Sequence, residues 1–258
     1  MPATRWLLTE RTAPPVVAFG VMIGVILLTL LFNTVVQPKT GKKESGDTPT
    51  TAVSFTGTDG VVISADLEYP SGAGPFPVVI LLHEFGQDRS QWNPYRDFFI
   101  AEGFAVLRYD IRGFGQSTLS SIPGAQATWF ASMPTDLVAA VRFLKEQQRF
   151  YAKKIFVVGS GLGANIAYIG SGTSSDIDKT VMLSPSVLPQ LDGSDIDNFF
   201  PKNILALANI DEQPVVEAML SRVTNEKNSE FISDPGVRGL ALVQRPELQT
   251  RIINWLRQ

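Results

Sequence analysis

The chain has 258 residues, 44% of them hydrophobic, and a formal net charge of −3. That length allows one large core. The balance of charge, with no long basic stretch, gives no reason to expect nucleic acid as a partner. There is no cysteine and one histidine, His83. Disulfides, thiolate metal sites and cysteine nucleophiles are excluded, and any His-based metal site or Ser-His-Asp triad must use His83 or not exist.

Residues 1–15 form a polar start containing Arg5, Glu10 and Arg11, closed by Pro14-Pro15. Residues 16–36 are apolar, broken only by Gly20, Gly24, Thr29, Asn33 and Thr34. As a helix rising about 1.5 Å per residue this run spans roughly 30 Å, one bilayer core. No polar stripe marks it as a buried helix of a soluble fold. Thr34-Val35-Val36-Gln37 offers no small-x-small cleavage pattern, so the run reads as an uncleaved single-pass membrane anchor. Arg5 and Arg11 flank one side; Lys39, Lys42 and Lys43 flank the other. The expected topology has the following domain outside the cytoplasm, because long domains translocate largely regardless of charge. Residues 37–51 read as a linker rich in Lys, Gly, Ser, Asp and Thr.

The remaining stretch, 52–258, reads as one domain. Val53–Phe55 and Val61–Tyr69 flank a Gly57–Gly60 turn and predict a hairpin. Val78–Leu82 is continuously apolar, as strands of a parallel sheet are. A helix over Gln91–Glu102, a strand over Phe104–Tyr109, a loop over 112–133 and a helix over Asp136–Arg149 follow. After Lys154–Ala167 come strands at Thr180–Leu183 and Ile204–Ala208, a helix at Val215–Val223, a strand at Glu230–Ile232 and a helix at Pro246–Leu256. A hairpin followed by β-α alternation predicts an α/β domain with a mostly parallel sheet and helices on both faces.

Lys154–Ala167 is a β-branched strand, a glycine turn and a helix start. It fits two turns. Gly159-Ser160-Gly161-Leu162-Gly163 is a G-x-S-x-G nucleophile elbow with glycine at the serine position. Gly159, Gly161 and Ala164 also fit the dinucleotide fingerprint G-x-G-x-x-G/A. That fingerprint needs an acidic residue at the end of the next strand, where this chain has Met182-Leu183-Ser184-Pro185. A nucleotide-binding module is therefore the weaker reading.

Two further stretches carry a family resemblance: Leu81-Leu82-His83-Glu84-Phe85-Gly86 and Tyr109-Asp110-Ile111-Arg112-Gly113-Phe114-Gly115-Gln116-Ser117. With the elbow, in this order, they resemble the α/β-hydrolases, in particular the dienelactone-hydrolase-like and serine-aminopeptidase-like esterase branch. The resemblance covers about 52–258. It implies an H-G-x-G oxyanion turn, in which Glu84 replaces the first glycine. It implies backbone oxyanion donors at Phe85 and Leu162, a bracing role for His83, and loop-tying roles for Asp110 and Arg112. It also maps the triad. The nucleophile position falls on Gly161, the acid on Asp211, and the base on Arg238 within Pro235-Gly236-Val237-Arg238-Gly239.

Glycine has no side chain to attack a carbonyl. Arginine stays protonated at any ordinary pH and cannot be a general base. The adjacent Ser160 is displaced by one residue, which turns its side chain from the site. The reading is a catalytically degenerate, membrane-anchored member of the family kept as a binding or scaffold module. The alternative is an ester or acyl hydrolase with a non-standard site. No metal or cofactor is expected. Arg238 and Asp211 are expected to pair across two loops; alternatively Arg238 and the amides after Gly161 hold a small anionic or acyl ligand. Glu84 is expected to be solvated.

Overall fold

Val78–Leu82 has no polar alternation, so its backbone is stable only with both faces of the strand covered. In the computed structural model that condition is met by a three-layer α/β arrangement. The structure describes residues 48–57, 59–119, 129–188, 191, 193, 197, 199–224 and 229–258. The run 16–36 read as a membrane anchor lies outside them, with the N-terminal tail and most of the linker. Among the described residues no helix is long and apolar enough to cross a membrane.

Strands β1 (Thr51–Thr56) and β2 (Val62–Glu68) form the antiparallel hairpin. They are followed by β3 (Phe76–Leu82), α1 (Asn93–Ala101), β4 (Ala105–Tyr109), α2 (Trp129–Lys145), β5 (Phe150–Ser160) and α3 (Leu162–Thr173). The chain closes with β6 (Ile177–Leu183), β7 (Ile204–Asn209), α4 (Gln213–Leu220), β8 (Glu230–Asp234) and α5 (Pro246–Arg257). The eight strands lie in the order β1-β2-β4-β3-β5-β6-β7-β8. Only the β1-β2 and β2-β4 pairings are antiparallel. Side chains of β3 alternate between two cores. Val78, Ile80 and Leu82 pack with Leu137, Leu144, Ile166 and Val216 under α2, α3 and α4. Val79 and Leu81 pack with Phe99, Leu248, Ile252 and Trp255 under α1 and α5.

One helix departs from the sequence expectation. α2 starts at Trp129 and not at Asp136, and it ends at Lys145 and not at Arg149. Pro134 lies inside it, where proline removes a helical hydrogen bond. Burial of Met133, Leu137, Ala140, Val141 and Leu144 outweighs that loss. At the other end, the Arg149 carbonyl accepts from the Phe76 amide at 2.9 Å, which draws the chain into the sheet.

The turn from β5 into α3 is packed backbone on backbone. A Cβ at Gly159 would stand 2.1 Å from the Gly163 carbonyl oxygen, and one at Gly163 would stand 2.4 Å from the Leu82 carbonyl oxygen. Both glycines are therefore required by packing, whatever the chemistry of residue 161. Gly163→Ala is expected to destabilise the domain by roughly 1–3 kcal/mol, towards the upper end because backbone has to move. Urea denaturation with an unchanged slope and a lowered midpoint would register this.

Candidate functional site

The elbow sits at the carboxyl end of β5, where strand hydrogen bonding ends and α3 begins. Gly161 holds φ +54° and ψ −116°, a conformation that glycine adopts freely and other residues adopt with strain. Its amide donates to the Leu183 carbonyl at 3.0 Å. Among the described residues the amides of Phe85 and Leu162 have no hydrogen-bond acceptor; Phe85 is exposed and Leu162 is buried. Leu162 opens α3, whose dipole adds positive potential at that end.

The volume above Gly161 is filled by Glu84. A Cβ at position 161 would stand 3.2 Å from the Glu84 Cγ. Glu84 is half-buried and its carboxylate is engaged by protein donors, where the sequence suggested a solvated group. It accepts from Ser160 Oγ at 2.6 Å, from the Leu240 amide at 3.3 Å and from Gln91 Nε2 at 3.1 Å. Gln91 also accepts from the Glu84 amide through Oε1 at 3.0 Å, so one side chain grips both ends of the residue. Ser160 is fully buried. Its hydroxyl meets the carboxylate that covers Gly161, a contact that counting one residue along the elbow does not foresee.

Asp211 and Arg238 do come together. Arg238 Nη2 donates to Asp211 at 3.0 Å and Nη1 lies 3.5 Å from Glu212. The pair is open to water, with side chains 54% and 74% exposed, so its contribution to stability is about 0–1 kcal/mol. The next residue carries the link to the elbow. The Gly239 amide donates to Ser184 Oγ at 2.8 Å, and a Cβ on Gly239 would stand 3.3 Å from Ser160 Oγ.

His83 is a brace. Its Nε2 accepts from the Ile111 amide at 2.9 Å, which leaves Nδ1–H to donate to the Glu84 carbonyl at 2.8 Å. The two bonds require the neutral ring. Burial lowers its pKa against the raising effects of the Glu84 carbonyl and nearby carboxylates. Asp110 accepts from the Arg89 and Gln116 amides at 2.8 and 2.7 Å and from the Arg89 guanidinium. Arg112 makes two bonds of 2.6 Å to buried Asp136 and bonds of 2.8 and 3.2 Å to Asp59. These residues hold the loops after β3 and β4 and do not face the elbow chemistry. At the mouth, exposed Phe85 packs against Phe114, Trp129 and Phe130. Among the described residues no cluster of three or more His, Asp or Glu side chains could hold a metal ion.

Gln91, Ser184 and Gly239 were not visible as site residues in the sequence. Each acts through a hydrogen bond 7 to 55 residues distant in sequence. The one local sign was the glycine after Arg238, which has φ +55°.

The strand order, the elbow and the His83 brace define an α/β-hydrolase fold. The serine aminopeptidase S33 family matches residues 73–245, and the chain belongs to that family. Esterase EstD of Thermotoga maritima is 29% identical over 128 residues, 46% of this chain and 29% of that esterase. An uncharacterized 31.7 kDa Escherichia coli protein from the traX-finO intergenic region is 28% identical over 103 residues, 39% of this chain and 34% of that protein. The chain thus spans about a third of the length of the curated relatives it matches. Among solved structures, the Pyrococcus furiosus esterase Pf2001 aligns with TM-score 0.65 and 20% identity, covering 81% of this chain and 92% of that one. Acetyl xylan esterase 1 of Thermoanaerobacterium sp. aligns with TM-score 0.67 and 16% identity, covering 84% and 86%. At these identities the structural likeness shows the fold.

Two outcomes follow from this geometry. Folding lowers the pKa of His83, so the unfolded chain binds its proton more readily. The stability this provides is complete above the unfolded value, near 6.5, and is lost as pH falls through the folded value. The melting temperature should therefore drop between about pH 6.5 and 5, where no other side chain ordinarily titrates, and His83→Gln should flatten that drop. Arg238→Ala should change stability by less than about 1 kcal/mol. A larger loss in urea denaturation would show that the ion pair holds the two loops.

Proposed function

We propose that this protein is a catalytically degenerate α/β-hydrolase, anchored to a membrane by residues 16–36 and retained as a binding or scaffold module. The observation that carries the reading is the elbow: a glycine stands at the nucleophile position and a carboxylate stands over it. The base position is Arg238, whose guanidinium is engaged by Asp211 and Glu212. The amides of Phe85 and Leu162 and the aromatic mouth favour an acyl or other carbonyl-bearing ligand. An anionic ligand is disfavoured, since Glu84 adds negative charge beside those amides and Arg238 is already paired. The apolar run and the polar linker after it support the anchor, with the domain outside the cytoplasm.

A second reading is favoured by one contact, the 2.6 Å hydrogen bond from Ser160 to Glu84, which puts a carboxylate base beside a serine. It would make the protein an acyl hydrolase with a non-standard site. Hydrolysis of short p-nitrophenyl esters separates the two. The wild type should give no turnover above the buffer rate and no labelling by a fluorophosphonate probe. Turnover that survives Gly161→Ala and disappears in both Ser160→Ala and Glu84→Gln would establish the second reading. For the anchor, a reporter fused after Gln258 that works only in the cytoplasm should be silent; activity there would reverse the topology.

A further inference from the structure

We propose that Glu84 is a third substitution of the catalytic centre, a built-in plug that occupies the volume side chains at the elbow and next to the base position would need. This deepens the reading of the site as a disused esterase centre and rests on it. The plug is defined by what surrounds it. Position 84 is where the H-G-x-G pattern places a glycine, and here a side chain extends from it into the cleft. Two glycines leave room for that side chain. A Cβ at Gly161 would be 3.2 Å from the Glu84 Cγ and 3.5 Å from its Cβ. A Cβ at Gly239 would be 2.2 Å from the Glu84 Oε1. The first glycine stands at the nucleophile position and the second directly follows the base position. Filling either one brings it against Glu84.

The carboxylate cannot simply turn aside, because it is held at every polar atom. Oε1 accepts from Ser160 Oγ and the Leu240 amide, and Oε2 accepts from Gln91 Nε2. The backbone is fixed too, with the amide on Gln91 Oε1 and the carbonyl on His83 Nδ1. Displacing Glu84 would leave the buried Ser160 hydroxyl without an acceptor, a loss that buried polar groups rarely sustain. Glu84, Gly161 and Gly239 therefore form one interdependent set. Restoring serine at 161 and histidine at 238 leaves the plug in place, and the acyl group would still meet a carboxylate where the nucleophile should stand.

The test is a pair of thermal-melting cycles on the full chain: Glu84→Ala combined with Gly239→Ala, and Glu84→Ala combined with Gly161→Ser. Backbone strain at 239 and at 161 is common to both backgrounds and cancels in each cycle. Gly239→Ala should lower the melting temperature by at least about 2–4 °C more in the wild-type background than in Glu84→Ala. Gly161→Ser should show the same sign with a smaller excess, since its contact is 3.2 Å against 2.2 Å. Additive shifts in both cycles would overturn the plug. If Gly239→Ala fails to fold in either background, the Gly161→Ser cycle decides alone. Because the readout is stability, ester turnover by the wild type would remove the proposed function without touching this result.

Discussion

Where β5 passes into α3, two backbones run closer than any side chain permits. Gly159 lies against the Gly163 carbonyl, and Gly163 lies against the Leu82 carbonyl at the end of β3. This contact sets the helix directly on the ends of two central strands. The single residue between strand and helix, Gly161, takes a positive-φ conformation there. The position of the elbow therefore follows from packing and does not depend on a side chain at 161.

A turn held by backbone packing does not depend on the side chains at 161 and 238 for its fold. In an active elbow a serine at the positive-φ position costs stability, which function justifies. Glycine at 161 removes that strain. Arg238 and Asp211 meet on an exposed surface, where ion pairs contribute little. The buried arginines behave differently. Arg112 is locked bidentately to Asp136 inside the domain, where removing one partner strands a charge. Charges that support the loops are buried and satisfied, whereas Asp211 and Arg238 are exposed and weakly coupled.

His83 joins the two kinds of residue. It cannot serve a triad, since its acceptor nitrogen receives the Ile111 amide and its N–H goes to the Glu84 carbonyl. Through that second bond the brace of the loop after β3 also fixes the residue that fills the cleft. Glu84 is thus positioned by the structural brace and projects over the elbow glycine.

Most of the fold was legible in the chain itself. Continuous apolar runs such as Val78–Leu82 and Ile204–Ala208 read as strands buried on both faces, and the glycines of the elbow mark a tight strand-to-helix turn. The identities at 161 and 238 fixed the chemistry these positions cannot perform, because a missing side chain and a permanent charge are properties of the residue alone. The start of α2 was not legible, since local propensity penalises Pro134 and only tertiary burial reverses that penalty. Nor was the fate of Glu84. A carboxylate beside a glycine turn reads as solvated, and only the fold brings Gln91 from the following turn and Ser160 and Leu240 from two distant parts of the chain around it. Sequence determined which groups were present and which reactions they cannot carry. Tertiary structure decided which of them meet, because hydrogen bonds and excluded volume depend on neighbours in space that sequence spacing does not encode.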